Sequence, residues 1–109
     1  MYTVDIHSNK ETKEIAKSEL DIAISFARKD KDKLLKVIVG YGSKSNKHII
    51  KTYILEYLLE LKDKKQIKDY IEGENLDIFN PKYMNFKYGF RIPEFEKRTK
   101  NPGVIYIIL

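Results

Sequence analysis

Apolar and polar residues follow one another along the chain in patterns that predict four β-strands. Residues 2–7 (YTVDIH) alternate strictly, which is typical of a half-buried strand. Residues 34–39 (LLKVIV) form a nearly continuous apolar run, which indicates a strand buried on both faces. Residues 66–72 (QIKDYIE) predict a weaker strand at a sheet edge, and residues 103–109 (GVIYIIL) predict a strong final strand.

Two stretches between these strands repeat their apolar residues at helical spacing. The first covers residues 8–30, with Ser8 or Asn9 as its cap, and the second follows a cap at Ser45. The apolar side of the first helix is expected to hold Ile15, Ala16, Leu20, Ile22, Ala23, Phe26 and Ala27. We expect a core made by Ile15, Leu20, Ala23, Ile50, Ile54, Tyr57 and Leu58 against Val4, Ile6, Val37 and Val39.

The order of these elements is strand, helix, strand, helix, strand, long segment, strand. Strands that alternate with helices predict an α/β domain with parallel strands joined by helical crossovers. The chain has 109 residues, so we expect residues 1–109 to form a single domain. The segment at 73–101 is long for a structureless loop, and such segments are usually functional or partly structured.

The composition narrows the classes of function. Cysteine is absent, which excludes disulfides and thiolate metal sites. No apolar run approaches the roughly 20 residues that cross a bilayer, and the first ten residues lack an apolar signal core, so we expect a cytoplasmic protein without membrane contact. The net charge is +5, and residues 81–100 supply six basic against two acidic residues. This clustering favours a polyanion such as nucleic acid over a merely solvated, lysine-rich surface.

The loop after the second strand is a candidate phosphate site. Residues 40–45 (GYGSKS) precede the second predicted helix, whose first N–H groups can hold an anion. Gly40 and Gly42 allow close approach of the backbone, while Ser43 adds a hydroxyl and Lys44 adds a charge. The alternative is an ordinary tight turn, and both interpretations remain open.

Two candidate catalytic residues lie at the end of the first strand. Asp5 and His7 lie two residues apart, so both are expected on the solvent side of that strand. An aspartate can orient an imidazole for acid–base work on a phosphodiester. If the first two strands are parallel, this pair and the glycine loop share one sheet edge, where ligands of such sheets bind. We expect His48, the other histidine, to be an exposed helix residue.

A third candidate is the run KYMNFKYGFRIPEF at residues 82–95. Its aromatic residues are interleaved with Lys87 and Arg91, a pattern that suits stacking on unpaired bases while cations hold the backbone. The alternative is that the rings cover the sheet as an extra core layer. We expect a mixture of the two.

These motifs resemble the Smr (small MutS-related) domain family. Asp5-Ile6-His7-Ser8 is similar to the family's Asp-Leu-His-Gly, with serine in the last position. Ile38-Val39-Gly40-Tyr41-Gly42 is similar to its Ile-His-Gly-x-Gly, with Val39 in the histidine place. Residues 102–109 resemble its closing strand, so the aromatic and basic segment at about 73–101 would be an insertion.

The resemblance implies a two-layer α/β sandwich, a βαβαβ(β) mixed sheet with two helices on one face, similar to the C-terminal domain of translation initiation factor three. It also implies DNA or RNA binding and, for several members, nicking endonuclease activity, with Asp5, His7, Gly40 and Gly42 carried over. Because valine cannot transfer a proton, a binding-only or protein-interaction module is the main alternative. A small nucleotide-binding protein is a third. The sequence shows no metal-ligand set, and Mg²⁺ or Mn²⁺ stays an open option for cleavage.

Overall fold

The computed structural model describes residues 1–6, 12–40 and 45–109, with residues 45–48 described in backbone only. Within these ranges the predicted order of strands and helices is confirmed. The strands and helices are β1 (Tyr2–Asp5), α1 (Lys13–Lys29), β2 (Leu34–Ile38), α2 (Ser45–Asp63), β3 (Asp69–Glu72), α3 (Pro81–Met84), α4 (Glu94–Thr99) and β4 (Val104–Ile108). Two 3₁₀ turns, Gly73–Asn75 and Gly89–Arg91, flank α3.

The four strands form one mixed sheet in the order β1-β2-β4-β3. β1 and β2 are parallel, as the helix between them requires, whereas β4 is antiparallel to both β2 and β3. The weak strand β3 lies at an edge, as its charges predict. The mixed α/β class is therefore confirmed, while the similarity to translation initiation factor three stays a prediction.

The two long helices cover one side of the sheet, called here the helix face. Its core is apolar and buries most of the side chains expected there, including Leu20, Ile54 and Leu58 at 0% exposure. The prediction was wrong for Ile15, Ile22 and Phe26, which are about half exposed. α1 instead buries Ala16, Leu20, Ala23, Ile24 and Ala27. Small alanines let a helix approach a sheet closely, so they take the inner side and the larger residues remain outside.

Local signals explain where α1 starts and where α1 and α2 stop. The cap of α1 is Thr12, whose Oγ1 accepts a hydrogen bond from the Ile15 N–H at 3.3 Å, while the predicted caps Ser8 and Asn9 lie outside the described residues. Both helices end in a left-handed residue, Lys31 after α1 and Lys65 after α2, each with φ of 60°. The next N–H reaches back to the helix in both cases, as in a Schellman motif.

The segment at 73–101, called here the cover segment, lies on the opposite side of the sheet, the cover face. Its ends meet, because a Cβ on Gly73 would lie 2.4 Å from the carbonyl oxygen of Asn101. A second apolar core forms beneath it from Leu34, Ile71, Leu76, Phe86, Ile92, Val104, Tyr106 and Ile108. Phe86 is buried, but Phe90 and Phe95 are 76% and 64% exposed. The expected core layer is thus confirmed for Phe86, while base stacking by the exposed rings stays a prediction.

Candidate nucleic-acid interface

The sheet edge that was predicted to hold the catalytic residues is present in the structure. β1 and β2 are parallel with Asp5 beside Ile38, so Asp5 and Gly40 lie at the same edge of the sheet. Asp5 is exposed there, and Gly40 adopts a φ of 67° that favours glycine. His7, Gly42, Ser43 and Lys44 lie outside the described residues, as do the side chains of 45–48. The proposed pairing of Asp5 with His7 therefore stays a prediction.

Two backbone donors at this edge are already used within the fold. The N–H groups of Val39 and Gly40 donate to the carbonyl oxygen of Gly103 at 2.8 and 3.1 Å. Any anion held by the loop must therefore use donors other than the Gly40 N–H. Val39, at 1% exposure, packs in the helix-face core with Ile6. Because Asp5 precedes Ile6 on the strand, its side chain points to the other face. A histidine in place of Val39 would therefore not face Asp5.

The described part of the chain offers no site for a metal ion. Across residues 1–6, 12–40 and 45–109, no three histidine, aspartate or glutamate side chains come together in a way that could hold one. Mg²⁺ needs carboxylate and other oxygen ligands that converge on one point. The described residues therefore do not fit the divalent ion considered for cleavage, and no step is derived through it.

A different surface gathers aromatic and basic groups, at the opposite sheet edge where β2 begins. We call it the Phe90–Arg91 surface: Lys33, Tyr88, Phe90, Arg91 and Pro93. The Arg91 guanidinium carbon lies 5.5 Å from the Phe90 ring centre and 5.8 Å from that of Tyr88. Its Nη1 is buried and, among the described residues, has no hydrogen-bond partner. The surface therefore combines an exposed ring, an oriented cation and an unused donor.

The same surface borders an open cavity of about 420 Å³, which Phe90, Arg91, Lys33 and Asp32 help to line. The carboxylate of Asp32 contacts the amino group of Met1 at 3.2 Å, which offsets its charge. The cavity is therefore suited to an anionic group that reaches the guanidinium past the Phe90 ring.

Lysines that sequence reasoning had not assigned to a site lie along this edge. β2 and β3 run in the same direction, so the loops before them, residues 30–33 and 64–68, lie at one edge of the sheet. The loops are joined because Arg28 donates from Nη2 to the carbonyl oxygen of Gln66. Lys65 and Lys68 are exposed in the second loop. The charge runs RKDKDK and KDKKQIK hold these lysines and were the signal in the sequence, but neither run was predicted to bind a ligand.

The two candidate areas are far apart. Lys33 and Gly40 stand at opposite ends of β2, seven residues from each other. At about 3.3 Å per residue this separates them by roughly 20 Å. Gly40 and Arg91 were each predicted to contact phosphate, and at this separation they cannot hold the same phosphate group. Only an extended polyanion could reach both.

The basic cluster at residues 81–100 is less free than its sequence suggests. Lys82 lies 3.9 Å from Glu72, Lys97 lies 3.3 Å from Glu94, and Lys100 lies 3.5 Å from Asp77. By contrast, Lys87 and Arg98 are exposed and make no ion pair within the described ranges. Lys87, one residue before Tyr88, is therefore a predicted phosphate contact whose charge is available, within the part of the chain that the structure describes.

A buried carboxylate anchors α4 to the cover face. Glu96, at 5% exposure, accepts hydrogen bonds from Lys36 of β2 at 2.9 Å and from the Tyr106 hydroxyl of β4 at 2.6 Å. Burial acts to raise the pKa of Glu96, but the hydrogen bonds from Tyr106 and Lys36 outweigh it and lower that pKa below its usual range. Burial also raises the pKa of Tyr106. This closed network serves to hold the cover segment, because its groups satisfy one another.

Lys51 of α2 closes the end of the sheet near Gly40 in a similar way. Its Nζ lies 2.7 Å from Glu74, 3.2 Å from Glu72 and 2.8 Å from the carbonyl oxygen of Pro102. Burial acts to lower the pKa of Lys51, but hydrogen bonds to Glu74 and Glu72 leave it raised. With three partners, this ammonium group joins α2 to both ends of the cover segment and is not available to a ligand.

Comparison of the chain with protein-family models, with curated proteins and with solved structures finds no match. The resemblance to the Smr family therefore stays a prediction from the motifs. In the part of the chain that the structure describes, no helix has the length and apolar character needed to cross a membrane.

Proposed function

We propose that this chain binds single-stranded DNA or RNA through the Phe90–Arg91 surface. The observation that carries the proposal is the exposed Phe90 ring beside a guanidinium whose buried Nη1 has no partner among the described residues. An exposed ring can stack on an unpaired base, and an oriented cation can hold the neighbouring phosphate. Duplex offers no splayed base to that ring, so single strands are preferred.

The lysines of the same edge extend the binding surface. Lys33 lines the cavity with Arg91, while Lys65, Lys68 and Lys87 are exposed. Each lysine that meets a phosphate releases a counterion, so affinity falls as salt rises. The proposal accounts for the positive charge of the chain without requiring any chemistry.

Fluorescence anisotropy with labelled single strands and duplexes of about 20 nucleotides tests the proposal. Phe90→Ala is expected to weaken single-strand binding by roughly 5- to 150-fold, the value of one base stack. Changing Lys87 and Arg91 to alanine should flatten the salt dependence by about 1–2 units. Phe79→Ala is the matched control, because Phe79 is 83% exposed in the same segment but does not line the Phe90–Arg91 cavity. Equal affinity of the Phe90 and Phe79 variants would contradict this surface.

Cleavage is a second candidate function, supported by the exposed Asp5 at the edge it shares with Gly40. The same samples run on denaturing gels, with and without Mg²⁺ or Mn²⁺, detect nicking directly. If the chain cleaves, His7→Ala should lower the rate by about 10²–10⁴ while binding stays within a few-fold, and His48→Ala should not. Binding without cleavage favours the binding-only module, and no binding at any salt favours the protein-interaction module.

A further inference from the structure

One side of α1 carries an apolar stripe that the fold does not bury. Ile15, Glu19, Ile22, Phe26 and Lys29 follow one another at spacings of four and three residues, which places them on one side of the helix. Ile15, Ile22 and Phe26 are 49%, 55% and 49% exposed. A soluble domain rarely leaves three large apolar side chains in line on one helix without a partner for them.

The stripe runs beside an open sheet edge. Within the described residues, β1 is paired on one side only, with β2. The Ile6 N–H donates to Ile38 at 2.9 Å, toward β2, and residues of a strand bond alternately to either side. Thr3 therefore directs its backbone N–H and carbonyl groups away from β2. A shallow cavity of about 300 Å³, lined by Val4, Ile22 and Phe26 among others, lies between this edge and α1.

The two open edges of the sheet differ in a way that favours this one for pairing. β3, the other edge strand, is flanked by the ion pairs Lys62–Asp69 at 3.0 Å and Lys82–Glu72 at 3.9 Å. Such charges oppose the addition of another strand. The surface beside β1 presents Ile22 and Phe26 instead.

We propose that a second copy of this chain docks at the β1 edge, with β1 and α1 each running antiparallel to their counterparts. The spacing of the elements fits. α1 packs on both β1 and β2, so its axis lies about half a strand spacing inside β1. The two β1 strands would lie one strand spacing apart, and each α1 axis would lie a further half spacing behind its own β1. The two α1 axes are then two strand spacings apart, about 10 Å. Packed helices are separated by about 8–10 Å.

The charges of the stripe fit the same twofold arrangement. With the axis beside position 24 of α1, Ile22 faces Phe26 of the other copy, and Glu19 faces its Lys29. The dimer then has four apolar side chains at its centre and an opposite-charge pair at each end. Thr3 lies near the same axis, because Val4 and Ile22 line one cavity. It would face its own counterpart, and threonine pairs across strands are favourable.

Sedimentation of the whole chain over a concentration series tests the proposal. The parent is expected to reach twice the chain mass of 12.9 kDa. Ile22→Glu should raise the dimer dissociation constant at least about tenfold, since each dimer loses two buried contacts. Thr3→Pro should do the same without disturbing the sheet, because the N–H it removes points outward. Ile49→Glu is the matched control, a 53% exposed isoleucine on α2.

A charge change at Lys29 tests the register. Lys29→Glu should weaken the dimer, because it then faces Glu19 of the other copy and like charges repel. A dimer that Lys29→Glu leaves unchanged overturns the antiparallel register. A parent that is monomeric at every concentration, or a dimer that Ile49→Glu disrupts and Ile22→Glu does not, overturns the proposed interface.

Discussion

On the helix face the sheet meets two long helices through apolar contacts, whereas on the cover face it meets short helices and a buried carboxylate. Leu20, Ile54 and Leu58 contribute nothing but hydrocarbon to the first core. The second core has Leu76, Phe86 and Ile92, but it also contains the bonds of Glu96 to Lys36 and Tyr106. The two faces are therefore sensitive to different perturbations.

The difference follows from the length of the covering elements. α1 and α2 have 17 and 19 residues, and each places several apolar side chains on the sheet. α3 and α4 have 4 and 6 residues, and a helix of one or two turns cannot hold its position by apolar burial alone. The hydrogen bonds that Lys36 and Tyr106 donate to the Glu96 carboxylate are directional contacts that set where α4 lies. We expect the helix face to carry most of the stability and the polar network to set the position of the cover segment.

The largest expected effect is a cavity on the helix face. Leu58 is fully buried beneath α2, so Leu58→Ala should lower the free energy of unfolding by about 2–5 kcal/mol. Denaturant melts measure this difference. Leu59→Ala is the control, because Leu59 is the next residue of the same helix and is 51% exposed, and a change within about 0.5 kcal/mol is expected there. Equal effects of the two variants would mean that α2 does not bury the side described.

On the cover face, the corresponding change is Glu96→Gln. Glutamine is neutral and places an NH2 donor where one carboxylate oxygen now accepts from Lys36 or Tyr106. Loss of a hydrogen bond to a charged acceptor costs about 1–3 kcal/mol. The control is Glu94→Gln, since Glu94 pairs with Lys97 at 3.3 Å but is 75% exposed, where ion pairs contribute little. Hydrogen exchange of the cover segment should rise in the Glu96 variant while that of α2 stays unchanged. A rise in both would show that the two faces unfold together.

The two faces should also differ in how their variants respond to low pH. The Tyr106 and Lys36 hydrogen bonds hold the pKa of Glu96 below its ordinary 4.5 despite burial. A depressed pKa means that the stabilisation is present above the unfolded value and is lost as pH falls through the folded value. The gap in melting temperature between parent and Glu96→Gln should therefore close as the pH falls below 4.5, the ordinary pKa of the group. For Leu58→Ala the difference in melting temperature from the parent should persist at low pH. A difference that closes for both variants would show that Glu96 is not the source of the pH dependence.

The sequence predicts the helix face better than the cover face, for a physical reason. Strand alternation, the continuous run of β2 and the spacing of α2 are local patterns, and they account for the parallel pairing of β1 with β2 that brings Asp5 and Gly40 to one edge. The inner side of α1 could not be chosen by spacing alone, since Ile15, Ile22 and Phe26 lie beside the alanines on the helical wheel. Which group faces the sheet depends on how closely the helix approaches it.

The candidate site was harder to predict because its contacts are long-range. Glu96 is a charged residue on a short helix, and such residues are rarely buried. Lys36, 60 residues away, makes its burial possible. The cover segment has no period that could have indicated its core. Lys87 and Arg91 were identified from their interleaving with aromatic residues, and only the fold shows that Arg91 lies beside Lys33 and not beside Gly40.

The smallest expected effects lie where helices on each face end in a left-handed lysine. Lys65 follows α2 with φ of 60°, and Lys100 follows α4 with φ of 45°. A side chain in this conformation costs about 1–2 kcal/mol that glycine avoids, although glycine also loosens the unfolded chain. Lys65→Gly should therefore raise the free energy of unfolding by about 0.5–1 kcal/mol.

On the cover face, Lys100→Gly should raise the free energy of unfolding by less than Lys65→Gly does. Lys100 lies 3.5 Å from Asp77, and Lys100→Gly removes that contact together with the strain. Both side chains are largely exposed, so the contact is worth about 0–1 kcal/mol and offsets part of the gain. Glu56→Gly, at an exposed position inside α2, is the control and should cost about 0.5–1 kcal/mol. If Lys65→Gly destabilises the chain as much as Glu56→Gly does, the left-handed end of α2 is not strained. If Lys100→Gly gains as much as Lys65→Gly, the Asp77 contact does not help to hold the cover segment.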